Sequence, residues 1–153
     1  MIECLVEPLS HLLMTGLIQL AHEAWQATNF AHEHPGIPYG PDWEMYQNME
    51  MNNRLRFVAM RENGKLIGYT SIVLDTDSHN VLLLTATIRD IYVVKEKRGY
   101  AAKLVRFTES LFPVLGVKRS LIGERVQGNV SAEAFYKALG YELREKIYGK
   151  TIH

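Results

Sequence analysis

Ile91-Tyr92-Val93-Val94-Lys95-Glu96-Lys97-Arg98-Gly99-Tyr100-Ala101-Ala102-Lys103-Leu104 is the stretch that decides how the chain reads. A β-branched run ends at Val94 and a charged turn follows. Small residues then open what the spacing predicts to be a helix over 98–115. Ala101, Leu104, Val105, Thr108, Leu111, Phe112 and Leu115 share one face of it. Pro113 is expected to distort its last turn. Amides in the first turn of a helix have no intrahelical acceptor and carry partial positive charge, so a strand–turn–helix junction of this kind suits an anion. Gly99 allows close backbone approach or an unusual φ, Ala101 and Ala102 keep bulk out of the same space, and Lys97, Arg98 and Lys103 add formal charge. The expected ligand is a phosphate or pyrophosphate. Neither G-x-x-x-x-G-K-[ST] nor G-x-G-x-x-G occurs, which excludes a P-loop and a dinucleotide fingerprint. A merely solvated basic helix start is the competing reading.

Working outward, residues 81–94 read as a long strand, bulged midway, and 119–126 as the strand after the helix. Upstream, 55–61 and 65–74 flank Asn63-Gly64, the strongest short hairpin signal because both turn residues need positive φ. Residues 75–80 form a second turn. Residues 1–6 suggest a short strand. Pro8 and Ser10 start a helix with Leu12, Leu13, Gly16, Leu17, Leu20, Ala21 and Ala24 at three-to-four spacing. The Pro- and Gly-rich 29–42 is a loop, and Asp42 caps a short helix reaching Met51. Residues 129–139 are a helix capped by Asn129 or Ser131 and terminated by Gly140, and 141–145 and 146–152 look like a last strand pair. A hairpin meander feeding a β-α-β unit predicts a mixed sheet in an α/β (α+β) fold.

The 153 residues suit one domain over 1–153, with neither repeat nor linker. Lys+Arg and Asp+Glu both number 17, a neutral balance that argues against a nucleic-acid binder, which needs a basic excess. Cys4 is the only cysteine, so no internal disulfide forms, consistent with a cytoplasmic protein. Glu3 and Glu7 interrupt the first apolar run, so no signal peptide is read, and no run approaches a membrane span of about 18 apolar residues. His22, His32 and His34 with Glu23 and Glu33 lack the spacing of a zinc motif, and no metal is expected.

A second segment carries chemistry: Asn129-Val-Ser-Ala132-Glu-Ala-Phe135-Tyr136-Lys-Ala-Leu-Gly140-Tyr141. It places a phenol, a proton donor to a leaving group within hydrogen-bond reach, near the end of a short helix. Half-buried packing is the alternative role for Tyr136. Together the two segments resemble the GCN5-related N-acetyltransferase (GNAT) family, and the resemblance extends from Leu55 to the C-terminus. Arg98, Gly99 and Ala101 follow the family's R-x-x-G-x-G/A cofactor motif in its common Arg-Gly form, and Lys103 departs from it. Asn129, Ala132, Phe135, Tyr136, Gly140 and Tyr141 meet the second signature, and Gly68 fits the third-strand pattern.

The resemblance implies a central mixed, mostly antiparallel sheet with a splayed parallel strand pair and about four flanking helices. It implies acetyl-CoA as co-substrate, its pantetheine arm on backbone groups at Tyr92, Val93 and Val94 and its pyrophosphate on Lys97, Arg98, Gly99, Tyr100, Ala101, Ala102 and Lys103. It further implies that Asn129 bonds the pantetheine and that Tyr136 protonates the departing thiolate after direct attack by a primary amine of a small molecule, protein or peptide. Asp90 and Glu124 are both candidates for the base that deprotonates that amine, with His79 a third. Strand alternation sets Asp90 on the opposite face from Val93. The acceptor site is expected from the N-terminal region and the 75–80 turn, with Tyr39, Trp43 and Tyr46 as an aromatic wall beside the acyl group. A homodimer is compatible with the resemblance. A catalytically inactive CoA-binding sensor or interaction protein is the alternative, suggested by Lys103.

Overall fold

The computed structural model describes residues 1–28, 33–123 and 132–152. In chain order these form β1 (Ile2–Glu7), α1 (Leu9–Met14), α2 (Leu17–Gln26), α3 (Trp43–Met51), β2 (Leu55–Glu62), β3 (Lys65–Asp77), β4 (Asn80–Val93), a 3₁₀ turn (Lys95–Tyr100), α4 (Ala101–Ser110), α5 (Phe112–Leu115), β5 (Arg119–Ile122) and α6 (Glu133–Ala138). The sheet order is β1-β2-β3-β4-β5. The first four strands are antiparallel and β5 runs parallel to β4, so the mixed sheet expected from the sequence is present.

The chain's turn chemistry sets these boundaries. Asn63 and Gly64 both take positive φ, 50° and 85°, in the β2–β3 hairpin. The Asp42 carboxylate accepts the Met45 amide at 2.9 Å and caps α3. Gly140, at φ 89°, ends α6.

Two apolar layers sandwich the sheet. On one face Val58, Met60, Ile72, Ala86, Ile88 and Val93 pack against Leu104 and Val105 of α4 and Phe112 of α5. On the other, Leu55, Phe57, Ala59 and Tyr69 pack against Leu9 and Leu12 of α1 and Leu17 and Leu20 of α2. Arg61 and Glu7, both buried, form a two-pronged ion pair at 2.8 and 3.1 Å, and Arg61 also donates to Thr15 Oγ1 at 2.7 Å. That network ties the α1–α2 corner to the sheet.

Four expectations need correction. The helix starting at Pro8 is two helices, because Gly16 takes φ 120°, incompatible with a continuous α-helix. The helix expected over 98–115 is a 3₁₀ turn, then α4, then α5. Pro113 has no amide to donate to Glu109, so α4 ends at Ser110. The second turn is tighter than 75–80, since β3 runs to Asp77 and β4 starts at Asn80. Residues 141–152 carry no strand. Leu143, Ile147, Tyr148 and Ile152 are exposed and fall on both parities, so no single face of an extended segment there is apolar. Residues 124–126 of the predicted fifth strand and 129–131 of the last helix lie outside the described residues.

Close approach of β3 to β4 depends on Gly68. A Cβ there would lie 2.8 Å from the Tyr92 carbonyl oxygen and 3.1 Å from Val93 Cγ2. Gly68→Ala is therefore expected to destabilise the fold by about 1–3 kcal/mol, read as a lower urea midpoint. An unchanged midpoint would mean that the strands separate without cost.

Candidate active site

The site begins with the two sides of β4. Its middle pairs with β5 from Thr85↔Arg119 to Ile88↔Ile122. Its second half, from Arg89 to Val93, pairs with β3 only among the described residues. The expected bulge is Arg89: Ile72 faces Ile88 and Ser71 faces Asp90, leaving Arg89 unmatched. A cleft of about 810 Å³ opens along this half-strand. It is lined by Arg98 and Ala101 at the helix entry, by Asp90 to Val93, and by Gly123 and Tyr136 across the gap.

At the helix entry, the 3₁₀ turn uses part of the backbone that the sequence offered to an anion. The Lys97 amide donates to Val94 O at 2.9 Å, and the Ala101 amide donates to Arg98 O. The three cations separate in role. Lys97 pairs with Glu62 at 2.8 Å, and that hydrogen bond pushes the ammonium pKa up. Lys103 donates to Ile2 O of β1 at 2.5 Å. Arg98 lines the cleft. Gly99 needs neither positive φ nor internal space, since a Cβ there would meet nothing within 4 Å. Tyr100 is exposed, Ala102 sits in the first turn of α4, and Val94 donates to Ile67 O at 2.9 Å.

Asp90 is half-buried on the cleft side, where its Oδ2 accepts the Ser71 hydroxyl at 3.0 Å. Val93 points to the opposite face and lies in the core under α4, as alternation required. The Tyr136 hydroxyl donates to Gly123 O at 3.3 Å, which holds the phenol at the mouth of the strand gap. Glu124 and Asn129 lie outside the described residues. His79 sits at the β3–β4 hairpin, where its amide donates to Asp77 Oδ1, and does not line the cleft.

Across from Asp90, the cleft is walled by Trp25, Tyr39, Trp43 and Tyr46. Tyr39 stacks on His22 with centroids 4.7 Å apart and lies 5.4 Å from Trp25, and Trp43 is 5.7 Å from Tyr46. Burial, then the neighbouring Tyr46 and Asp90, push the Tyr39 phenol pKa up. Burial and then Glu23 do the same to Tyr92, so both phenols remain neutral at physiological pH. Trp25 and Ser71 were not singled out from the sequence. Trp25 sits on a helix face whose partner was unknown, and Ser71 meets Asp90 only through the β3–β4 register. Among the described residues no His, Cys, Asp or Glu group could hold a metal, and no helix is long and apolar enough to cross a membrane.

The profile of the Acetyltransferase (GNAT) family matches residues 17–141. No curated protein matches the sequence. Among solved structures, an aminoglycoside acetyltransferase from an uncultured soil metagenomic sample is similar at a TM-score of 0.74 and 18% identity, over 100% of this chain and 98% of that one. Glucosamine-6-phosphate N-acetyltransferase from Arabidopsis thaliana is similar at 0.69 and 14%, over 100% and 99%. The ribosomal-protein-alanine N-acetyltransferase from Brucella melitensis biovar Abortus 2308 is similar at 0.69 and 13%, over 99% and 100%. At these identities the likeness is one of fold. The match of the family profile over most of the chain places this protein in the GNAT acetyltransferase family.

Proposed function

We propose that the protein transfers an acetyl group from acetyl-CoA to a primary amine by direct attack within a ternary complex, as one cytoplasmic domain without a metal. The observation that carries this reading is the course of the cleft, continuous from Arg98 past residues 90–93 of β4 to Tyr136 and the aromatic wall. Arg98 would meet the pyrophosphate, and the open space over Gly99 leaves room for its oxygens. Backbone groups of Tyr92 and Val93 would bond the pantetheine amides along the gap, and Val94, assigned there on the family resemblance, already has its amide on Ile67 O and its carbonyl on the Lys97 amide. Lys97, Tyr100, Ala102 and Lys103 frame the same turn, and Asn129 is assigned to the pantetheine on the family resemblance.

Acetyl-CoA supplies the thioester as the activated acyl group. The acceptor arrives as an ammonium beside Asp90, whose carboxylate is oriented by Ser71. The nitrogen sheds two protons through Asp90 to solvent as its bond to the acetyl carbon forms and the carbon–sulfur bond breaks. Glu124 is the alternative base. Tyr136 gives its hydroxyl proton to the departing thiolate and regains one from solvent, so one proton is released net. The catalytic gain is then mainly the positioning of two substrates. A non-catalytic CoA sensor was suggested by Lys103, but that ammonium is held on Ile2 O at the edge of the sheet.

Coenzyme A and acetyl-CoA are expected to raise the melting temperature in proportion to the logarithm of ligand concentration, and ATP is not. Gly99→Ala should leave the urea midpoint within about 0.5 kcal/mol of wild type while raising KM for acetyl-CoA. Tyr136→Phe should lower kcat about 100-fold with acetyl-CoA affinity kept. Full turnover in that variant would remove Tyr136 from the acid role.

A further inference from the structure

We infer that the acceptor is an arylalkylamine carrying a single ammonium on a flat aromatic body, an inference that rests on the acetyl-transfer reading above. Trp25, Tyr39, Trp43 and Tyr46 are half-buried and turn ring surface into the cleft. The Trp25–Tyr39 and Trp43–Tyr46 pairs are tilted by 44° and 57°. Such a wall gains most from another ring, by offset or edge-to-face contact beyond the area buried. At the reacting end the ammonium meets Asp90, with the neutral Tyr39 hydroxyl as its neighbour.

The remaining charges on the described lining restrict the ligand further. Arg54 and Asp75 neutralise one another at 2.9 Å. Arg89 and Arg98 are cationic, and Arg98 is assigned to the cofactor. A second ammonium on the acceptor would meet Arg89 or Arg98 along this part of the described lining, and like charges in a cleft cost affinity. Polyamines and aminoglycosides carry several ammonium groups and little apolar area, and match neither the wall nor the charge.

Trp25 and Trp43 are the only tryptophans in the chain, so emission reports on this wall directly. Titrating phenethylamine or tryptamine into the wild-type protein with coenzyme A bound is expected to change emission saturably, and spermidine is not. In a thiol-release assay at saturating acetyl-CoA, kcat/KM for phenethylamine should exceed that for spermidine, kanamycin and hexylamine at least tenfold. Trp43→Leu and Tyr46→Leu should each raise KM for phenethylamine at least tenfold, shift KM for hexylamine less than threefold and leave KM for acetyl-CoA unchanged. The wild-type titration stands even where a variant fails to fold. Equal or better turnover of spermidine or kanamycin, or no turnover of either arylalkylamine by protein that acetyl-CoA stabilises, overturns the inference alone. Absence of stabilisation by any coenzyme A species overturns the acetyl-transfer reading with it.

Discussion

The molecule depends on how β4 is paired: β3 accompanies it along most of its length, whereas β5 pairs with it, among the described residues, from Thr85 to Ile88. Parallel pairing with β5 ends at Ile88↔Ile122, while antiparallel pairing with β3 continues to Val93. A buried strand edge cannot leave its amides and carbonyls unmatched without cost. Groups of Arg89 to Val93 on the side away from β3 are paired with no strand among the described residues. The two apolar layers hold the edge in place from either face, and Gly68 lets β3 come close enough to keep the other side of β4 paired.

The basic residues show how formal charge and available charge differ. Lys97, Arg98 and Lys103 are indistinguishable in a sequence, yet Glu62 lies 35 residues from Lys97 and Ile2 lies 101 residues from Lys103. Two cations thus brace the turn and α4 against β2 and β1, and a third faces the cleft. The helix entry is fixed to the sheet at two points.

Local signals were legible where one residue's backbone or cap decides the outcome. Asn63-Gly64, Asp42 and Gly140 each did what their chemistry requires. Legibility failed where the outcome depends on partners. The apolar spacing runs undisturbed across Gly16, so the break between α1 and α2 shows only in its φ of 120°. The segment after Gly140 has strand-like composition but forms no strand among the described residues, and meets β5 through the Ser120–Tyr141 side-chain hydrogen bond at 2.8 Å. Trp25 and Ser71 enter the cleft because of packing and register, neither of which a linear pattern contains.

Asp90 is where sequence and structure meet most closely. Ala86, Ile88 and Val93 all lie in the core under α4, and Ile91 packs against it, so the buried set runs 86, 88, 91, 93. A regular strand would place Asp90 on the same face as Ile88, because alternate residues share a side. A carboxylate there would lie within apolar packing, where an unpaired charge costs several kcal/mol or loses its ionisation. The extra residue at Arg89 shifts the parity by one. The same step that keeps Ile91 and Val93 buried turns Asp90 to the other face, opposite Ser71 and beside the aromatic wall. One inserted residue thus reconciles an apolar core with an ionisable group three residues from Val93, just past the last described β4–β5 pair.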